Sequence, residues 1–263
     1  RRASVWEGGM MSQPGGSRFI AVLLLLLMVA GCASSNEPRY QSSPKKASRV
    51  NAELGANYLQ AGQLERANAK LEKALAQDSE NVDAHTAFAL LNMRLGKPQR
   101  ARRHFETALD LEPDSPQIHN NYGTFLCDEG EHDEGIEQFL KAAENRLYDT
   151  TAYAYANAGR CALAADRDDS ARGYFRQALE LNPRLPTALI ESAELAIDAG
   201  QPDQAADYFS RYSEVAQQGP GTLWLGVRIE RALGDREGAK EYGVKLLRRF
   251  RDSEEAQKFL DTR

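Results

Sequence analysis

The sequence predicts an all-α protein in which six helix–turn–helix repeats stack into a solenoid. A series of small residues recurs every 34 positions, at Ala67, Ala101 and Gly135. Large apolar residues follow each of them four positions later, at Leu71, Phe105 and Phe139. Residues four apart lie on one face of a helix, and a period of about 20–50 residues is typical of repeat arrays.

The periodicity also sets the limits of the array. After a two-residue insertion, the small-residue series continues at Ala171, Ala205 and Ala239. Together with the insertion, the six predicted repeats fill the chain from Ser48 to Ser253: 48–81, 82–115, 116–149, 152–185, 186–219 and 220–253. Residues 254–263 are expected to form a capping helix with Phe259 and Leu260 pointing inward, because a solenoid needs a polar cap over its last apolar face.

A second pattern lies near the eighth position of each repeat, where the first helix should carry a small residue. The pairs that occupy this place are Leu54-Gly55, Phe88-Ala89, Tyr122-Gly123, Ala158-Gly159 and Ser192-Ala193, with Gly226 in the last repeat. Small residues let two helices approach closely, and large ones fill the groove between ridges. The pattern and its period resemble the tetratricopeptide repeat, which implies a right-handed superhelical solenoid with the first helices lining its concave side.

The segment before the array is expected to be a targeting signal. The apolar run Phe19–Ala30 has 12 residues, fewer than the roughly 20 that a membrane-spanning helix needs. Arg18 precedes the run and small residues close it, which is typical of a secretory signal peptide. Translation is expected to start at Met10 or Met11, so that residues 1–31 comprise an over-extended start and a signal that is removed.

The end of this segment, Val29–Cys32, resembles the lipobox of bacterial lipoproteins. The resemblance implies that Cys32 is lipidated and becomes the first mature residue, and Ala33 after it implies sorting to the outer membrane. The alternative is an ordinary signal peptide followed by a chance cysteine. Residues 32–47 are rich in Ser, Pro and charge, a composition that favours a flexible tether between the lipid and the repeats.

The composition and motifs give no indication of catalysis. Neither a glycine-rich nucleotide cradle nor a GxSxG motif occurs, and the four histidines lack metal-ligand spacing. We therefore expect no enzyme activity, cofactor or metal, and no small-molecule substrate. The formal net charge of −5 and the pI near 5.6 argue against nucleic acid as a partner. A solenoid of this kind is expected to bind other proteins.

Two cysteines, Cys127 and Cys161, fall late in the first helices of neighbouring repeats. In an exported protein they have two alternatives. They form a disulfide that joins repeats three and four, or they are buried free thiols that pack as small apolar groups.

The tetratricopeptide register predicts a partner-binding groove on the first helices of repeats one and two. Its predicted residues are small or apolar: Ala52, Ala56, Leu59, Thr86, Leu90 and Met93. Such a surface suits the apolar face of a partner helix. The alternative is that the larger of these residues pack between repeats. Trp224 is a second candidate anchor or, alternatively, a residue that fills a gap in the array.

Three stretches extend the resemblance to a narrower family: Asn120–Cys127 (NNYGTFLC), Tyr155–Leu163 (YANAGRCAL) and Leu223–Asp235 (LWLGVRIERALGD). With the lipobox and six repeats, the chain resembles the type IV pilus biogenesis and stability lipoproteins, the PilF/PilW family. The resemblance implies a pilotin, which binds secretin subunits and promotes their localisation and multimerisation at the outer membrane, supporting twitching motility. Alternatives are a scaffold for another envelope assembly and, in a different class, a regulator of an enzyme or an enzyme with an unrecognised site.

Overall fold

The computed structural model describes residues 43–145 and 149–262, and these ranges contain α-helices and no strand. The helices are α1 (Pro44–Gln60), α2 (Leu64–Gln77), α3 (Val82–Arg94), α4 (Pro98–Leu111), α5 (Pro116–Asp128), α6 (His132–Glu144), α7 (Thr151–Ala164), α8 (Asp168–Leu181), α9 (Pro186–Asp198), α10 (Pro202–Val215), α11 (Pro220–Leu233), α12 (Arg236–Arg249) and α13 (Glu254–Asp261). Each helix packs against its neighbours in the chain, as in a solenoid. The predicted fold class is confirmed.

The first helix begins earlier than the repeat register predicts. Helix α1 starts at Pro44, so residues 44–47 are helical although the sequence assigned them to the tether. Ser43 caps this helix by accepting a hydrogen bond from the backbone N–H of Lys46, and Pro44 suits the first helical position. The rest of the predicted tether, residues 32–42, and the predicted signal, residues 1–31, lie outside the described residues, and so does Cys32.

The turn inside every repeat contains a residue in the left-handed backbone region. Five repeats place glycine there, with φ between 63° and 84°: Gly62, Gly96, Gly130, Gly200 and Gly234. Repeat four has Asp166 at this position, with φ 56°. Asp tolerates this region better than most residues because its short polar side chain can bond locally. Asp168 and Asp169, which follow this turn, lie in the first turn of α8.

Large side chains of the second helices fill the space under the first helices. Leu71, Phe105 and Phe175 are fully buried. The contact depends on small residues opposite: a Cβ added at Gly159 would lie 2.6 Å from the Phe175 ring. In repeat three the two backbones themselves meet, since a Cβ at Gly123 would lie 2.9 Å from the carbonyl oxygen of Gly135. The repeat pattern thus sets the distance between the paired helices.

The two ends of the array differ. At the carboxyl end, α13 buries Ala256 and Phe259 against α11 and α12, as the predicted cap should, whereas Leu260 is 42% exposed and does not point inward. At the amino end, Val50 and Leu54 of α1 are 50% and 38% exposed. Residues at these positions in the next repeat pack against a preceding repeat, which α1 does not have among residues 43–262.

A histidine pair connects the two helices of repeat two. His104 Nδ1 lies 3.0 Å from His85 Nδ1, so one ring donates a proton and the other accepts it. The His104 ring also stacks on Phe88, with 4.9 Å between ring centroids. Burial lowers the pKa of His104 from 6.5 to about 4, and repulsion from His85, Arg100 and Arg103 adds to this. The His104 ring is therefore neutral near pH 7.

Cys127 on α5 and Cys161 on α7 are brought together, with Cα atoms 5.8 Å apart, and the structure joins them in a disulfide. Such a bond connects the first helices of repeats three and four. The oxidised state of this pair stays a prediction, with two free thiols as the alternative.

We predict that Gly123→Ala lowers the free energy of unfolding by about 1–3 kcal/mol, because the new methyl group meets a backbone oxygen that has no room to move. Gly173→Ala is the matched control, since no atom lies within 4 Å of a Cβ at this position in α8. There the better helix propensity of alanine should stabilise the protein by up to about 1 kcal/mol. Urea unfolding measures both, and equal effects at the two positions would contradict the close backbone contact.

We predict that His104 makes the protein less stable as the pH falls from 6.5 towards 4. In this window the unfolded chain binds a proton that the folded state excludes, whereas above pH 6.5 neither state binds it. The slope should stay below the roughly 1.4 kcal/mol per pH unit of a full proton difference, because the ring is partly exposed and solvent screens it. Urea unfolding of wild type and His104→Gln at several pH values isolates the effect, and parallel curves for the two proteins would refute it.

We predict that denatured, unreduced protein shows no free thiol from Cys127 or Cys161. Reduction should release both thiols and lower the free energy of unfolding by about 2–4 kcal/mol, since the bond closes a long loop of chain. A thiol count with Ellman's reagent, with reduced protein as the control, provides the measurement. Two reactive thiols before reduction would establish the alternative.

Candidate protein-binding groove

An open groove of about 630 Å³ lies on the first helices of repeats one to three. Its apolar lining comes from α1, α3 and α5: Ala52, Ala56, Val82, Ala87, Leu90 and Ile118. The two alanines of α1 are four residues apart and so share a face, and their small side chains leave the space that the groove occupies. A volume within about 300–1,000 Å³ suits a drug-sized group or a few side chains of a protein segment.

The structure brings together four of the six predicted groove residues and separates the other two. Ala52, Ala56, Thr86 and Leu90 line the groove. They come from the fifth and ninth positions of repeats one and two, where the tetratricopeptide register faces the concave side.

Leu59 and Met93 are corrections to the predicted groove. Leu59 is 5% exposed and packs in a core cluster with Phe88 and Leu91. Met93 is partly buried and packs against the core cluster that contains Phe105. Both sit at the twelfth position, where the first helix already packs against the next repeat, so the alternative of packing between repeats applies to them. It applies in part to Leu90 as well, which lines the groove and also packs against both of these core clusters.

The rim of the groove is charged. Glu53 and Asp83 stand on α1 and α3, Glu112 follows the end of α4, and Arg49 lies one turn before Glu53. Across residues 43–145 and 149–262, none of these four side chains forms an ion pair within 4 Å. The groove thus combines an apolar floor with three carboxylates and one guanidinium whose charges are not neutralised by neighbouring side chains.

Sequence reasoning missed part of this lining. Glu112 lies in the turn between repeats two and three, 30 residues after Val82. The helical register of the first helices does not predict which turn residues reach the groove. Glu53 and Ala87 directly follow the predicted positions occupied by Ala52 and Thr86, so a wider helical face would have included them.

Polar side chains elsewhere on the concave surface pair with one another in two places. In its middle, Asn157 Nδ2 donates to Asn120 Oδ1 across 3.0 Å. Further on, Arg228 donates to Glu194 Oε2 at 2.6 Å and forms a second ion pair with Asp198. Glu194 and Asp198 are therefore paired within the fold, unlike the carboxylates around the groove.

Trp224 lies in the last core cluster rather than in the groove. It is partly buried and packs against a cluster that includes Leu223 and Phe259. The Arg231 guanidinium lies 5.6 Å from the Trp224 ring and 5.7 Å from the Phe259 ring, and it also donates to the carbonyl oxygen of Thr262. These contacts attach the capping helix, as the gap-filling alternative for Trp224 predicts.

Neither a metal site nor a membrane span is found in the described part of the chain. Among these residues, no group of three or more His, Cys, Asp or Glu side chains is arranged to hold a metal ion. No described helix is long and apolar enough to cross a membrane.

Comparison with known proteins agrees with the fold at several levels. Tetratricopeptide-repeat family models match residues 82–115, 114–184 and 162–221. The type IV pilus assembly protein PilF of Pseudomonas aeruginosa is 30% identical over 245 residues, which cover 92% of this chain and 97% of PilF.

Two solved structures are similar along most of their length. The structure of Pseudomonas aeruginosa PilF superposes with a TM-score of 0.76 at 30% identity, covering 84% of this chain and 99% of that one. PilW, described as a widely conserved type IV pilus biogenesis factor, superposes with a TM-score of 0.73 at 33% identity, covering 81% and 98%. This chain belongs to the PilF/PilW family of tetratricopeptide-repeat proteins of type IV pilus biogenesis.

Proposed function

We propose that this chain is an outer-membrane lipoprotein that binds subunits of the type IV pilus secretin and promotes their localisation and multimerisation. The observation that carries the binding role is the apolar groove of repeats one to three, which no side chain of the described residues fills. Membership of the PilF/PilW family directs the proposal to pilus assembly, and the lipobox-like sequence ending at Cys32 supports the lipid anchor.

The proposed mechanism requires no chemical turnover. Acyl chains on Cys32 would hold the protein at the membrane, since each buried methylene contributes about 0.8 kcal/mol and several chains anchor stably. The groove would bind one segment of a secretin subunit. Tethering then raises the local concentration of subunits at the membrane surface, which favours their assembly into a ring.

Loss of this protein is expected to remove the secretin multimer from the outer membrane. Membrane fractions of a deletion strain, blotted for the detergent-resistant secretin multimer, provide the measurement. Wild-type protein should restore the multimer, and Cys32→Ala should restore it weakly because the subunits are no longer concentrated at the membrane. Intact multimers in the outer membrane of the deletion strain would refute the proposal and favour a scaffold for another envelope assembly.

Altering the floor of the groove is expected to weaken secretin binding without unfolding the protein. Ala56→Trp adds a large side chain to the groove, and Leu90→Asp places a charge where an apolar group should dock, so either should weaken binding at least tenfold. Pull-down or titration with detergent-solubilised secretin measures this, with circular dichroism to check the fold.

Leu181→Asp is the matched control for these variants. Leu181 ends α8 and is exposed, so the substitution adds the same charge far along the array and should leave binding unchanged. Equal affinity of Ala56→Trp, Leu90→Asp and wild type for the secretin would exclude the groove as the binding site.

A further inference from the structure

We propose that the partner segment bound in the groove is cationic as well as apolar, with Lys or Arg side chains flanking the apolar residues that enter it. The inference rests on the proposed function, because the segment is taken to belong to the secretin. Beyond the proposed function, it states which charge the bound segment carries and why the groove prefers that charge.

The charge on the rim is the first argument. Glu53, Asp83 and Glu112 contribute three negative charges and Arg49 one positive charge, and all four border the same apolar floor. Opposite charge on a partner steers it into place, and like charge repels it. A rim with an excess of two carboxylates therefore favours a basic segment over an acidic one.

The lack of internal partners is the second argument. Carboxylates elsewhere on the concave surface, Glu194 and Asp198, are bound by Arg228 of the next repeat. No described Lys or Arg side chain lies within ion-pair distance of Glu53, Asp83 or Glu112. Their charges are thus available to a partner, whereas those of Glu194 and Asp198 are bound within the fold.

Desolvation is the third argument. A segment that covers the floor, made by Ala56 and Leu90, also takes water away from the carboxylates at its edge. Removing water from a charged group is costly unless an opposite charge replaces it. A purely apolar segment would leave these carboxylates uncompensated, and a segment with flanking Lys or Arg compensates them. The apolar floor gives affinity, and the rim gives selectivity against neutral and acidic segments.

The size of the groove limits the segment. A volume of about 630 Å³ holds a few apolar side chains and leaves the rest of the segment at the rim. An amphipathic helix meets this description, with apolar anchors at positions i and i+3 or i+4 and basic residues beside them.

The test compares two triple variants of the mature, full-length protein. In the groove variant, Glu53→Gln, Asp83→Asn and Glu112→Gln remove three charges and keep side-chain size. In the control, Glu180→Gln, Asp203→Asn and Asp252→Asn make the same change at exposed positions on α8, α10 and the turn after α12. Affinity for detergent-solubilised, full-length secretin is measured from low to high salt, with Ala56→Trp as the blocked-groove reference.

The groove variant should lose about tenfold in affinity at low salt and show a flatter salt dependence, whereas the control variant should match wild type. Arg49→Gln should bind equally or more tightly. Unchanged or tighter binding by the groove variant, or an equal loss in the control, would overturn the cationic segment while leaving secretin binding intact. Absence of binding by the wild type would overturn the proposed function itself, so the two failures are distinguishable.

Discussion

The contact between a small residue on each first helix and a large apolar residue on the second is the interaction on which the rest of the structure depends. In repeat four, Gly159 lets the Phe175 ring approach to a distance that a methyl group would forbid. Repetition of this contact every 34 residues sets a common helix spacing along the chain. The first helices then stand side by side, and the groove is the surface that they leave at repeats one to three.

The fold could be predicted from the sequence because this contact requires a small residue opposite a large one, and residue sizes can be seen in the sequence. The series that includes Leu71 and Phe105 predicts the helix pairs and their period. The start of α1 at Pro44 was missed, because Ser43-Pro44 suits both a helix start and a polar tether. Composition favoured the tether, and only packing of α1 on α2 decides for the helix.

The groove could be predicted only in part, for a geometric reason. The repeat register predicts the helix face on which Ala56 and Leu90 lie. It does not predict which residues of that face are covered by the next repeat. Leu59 and Met93 share the face and are nevertheless covered. Glu112 borders the groove because of the path of the turn after α4, and helical periodicity does not predict the path of a turn.

The uncovered outer face of α1 links recognition to folding. In a solenoid each repeat is stabilised by its neighbours, and local opening begins where neighbours are fewest. Among the described residues, repeat one has a neighbour on one side only, as the exposure of Val50 and Leu54 indicates, and it also supplies Ala52 and Ala56 to the groove. A segment bound across repeats one to three makes contacts that are lost when repeat one unfolds locally, so binding stabilises that repeat. Part of the binding free energy then goes into ordering repeat one. Binding of a segment in the groove should therefore slow amide hydrogen exchange in α1 and α2 more than in repeat six, which α13 already caps.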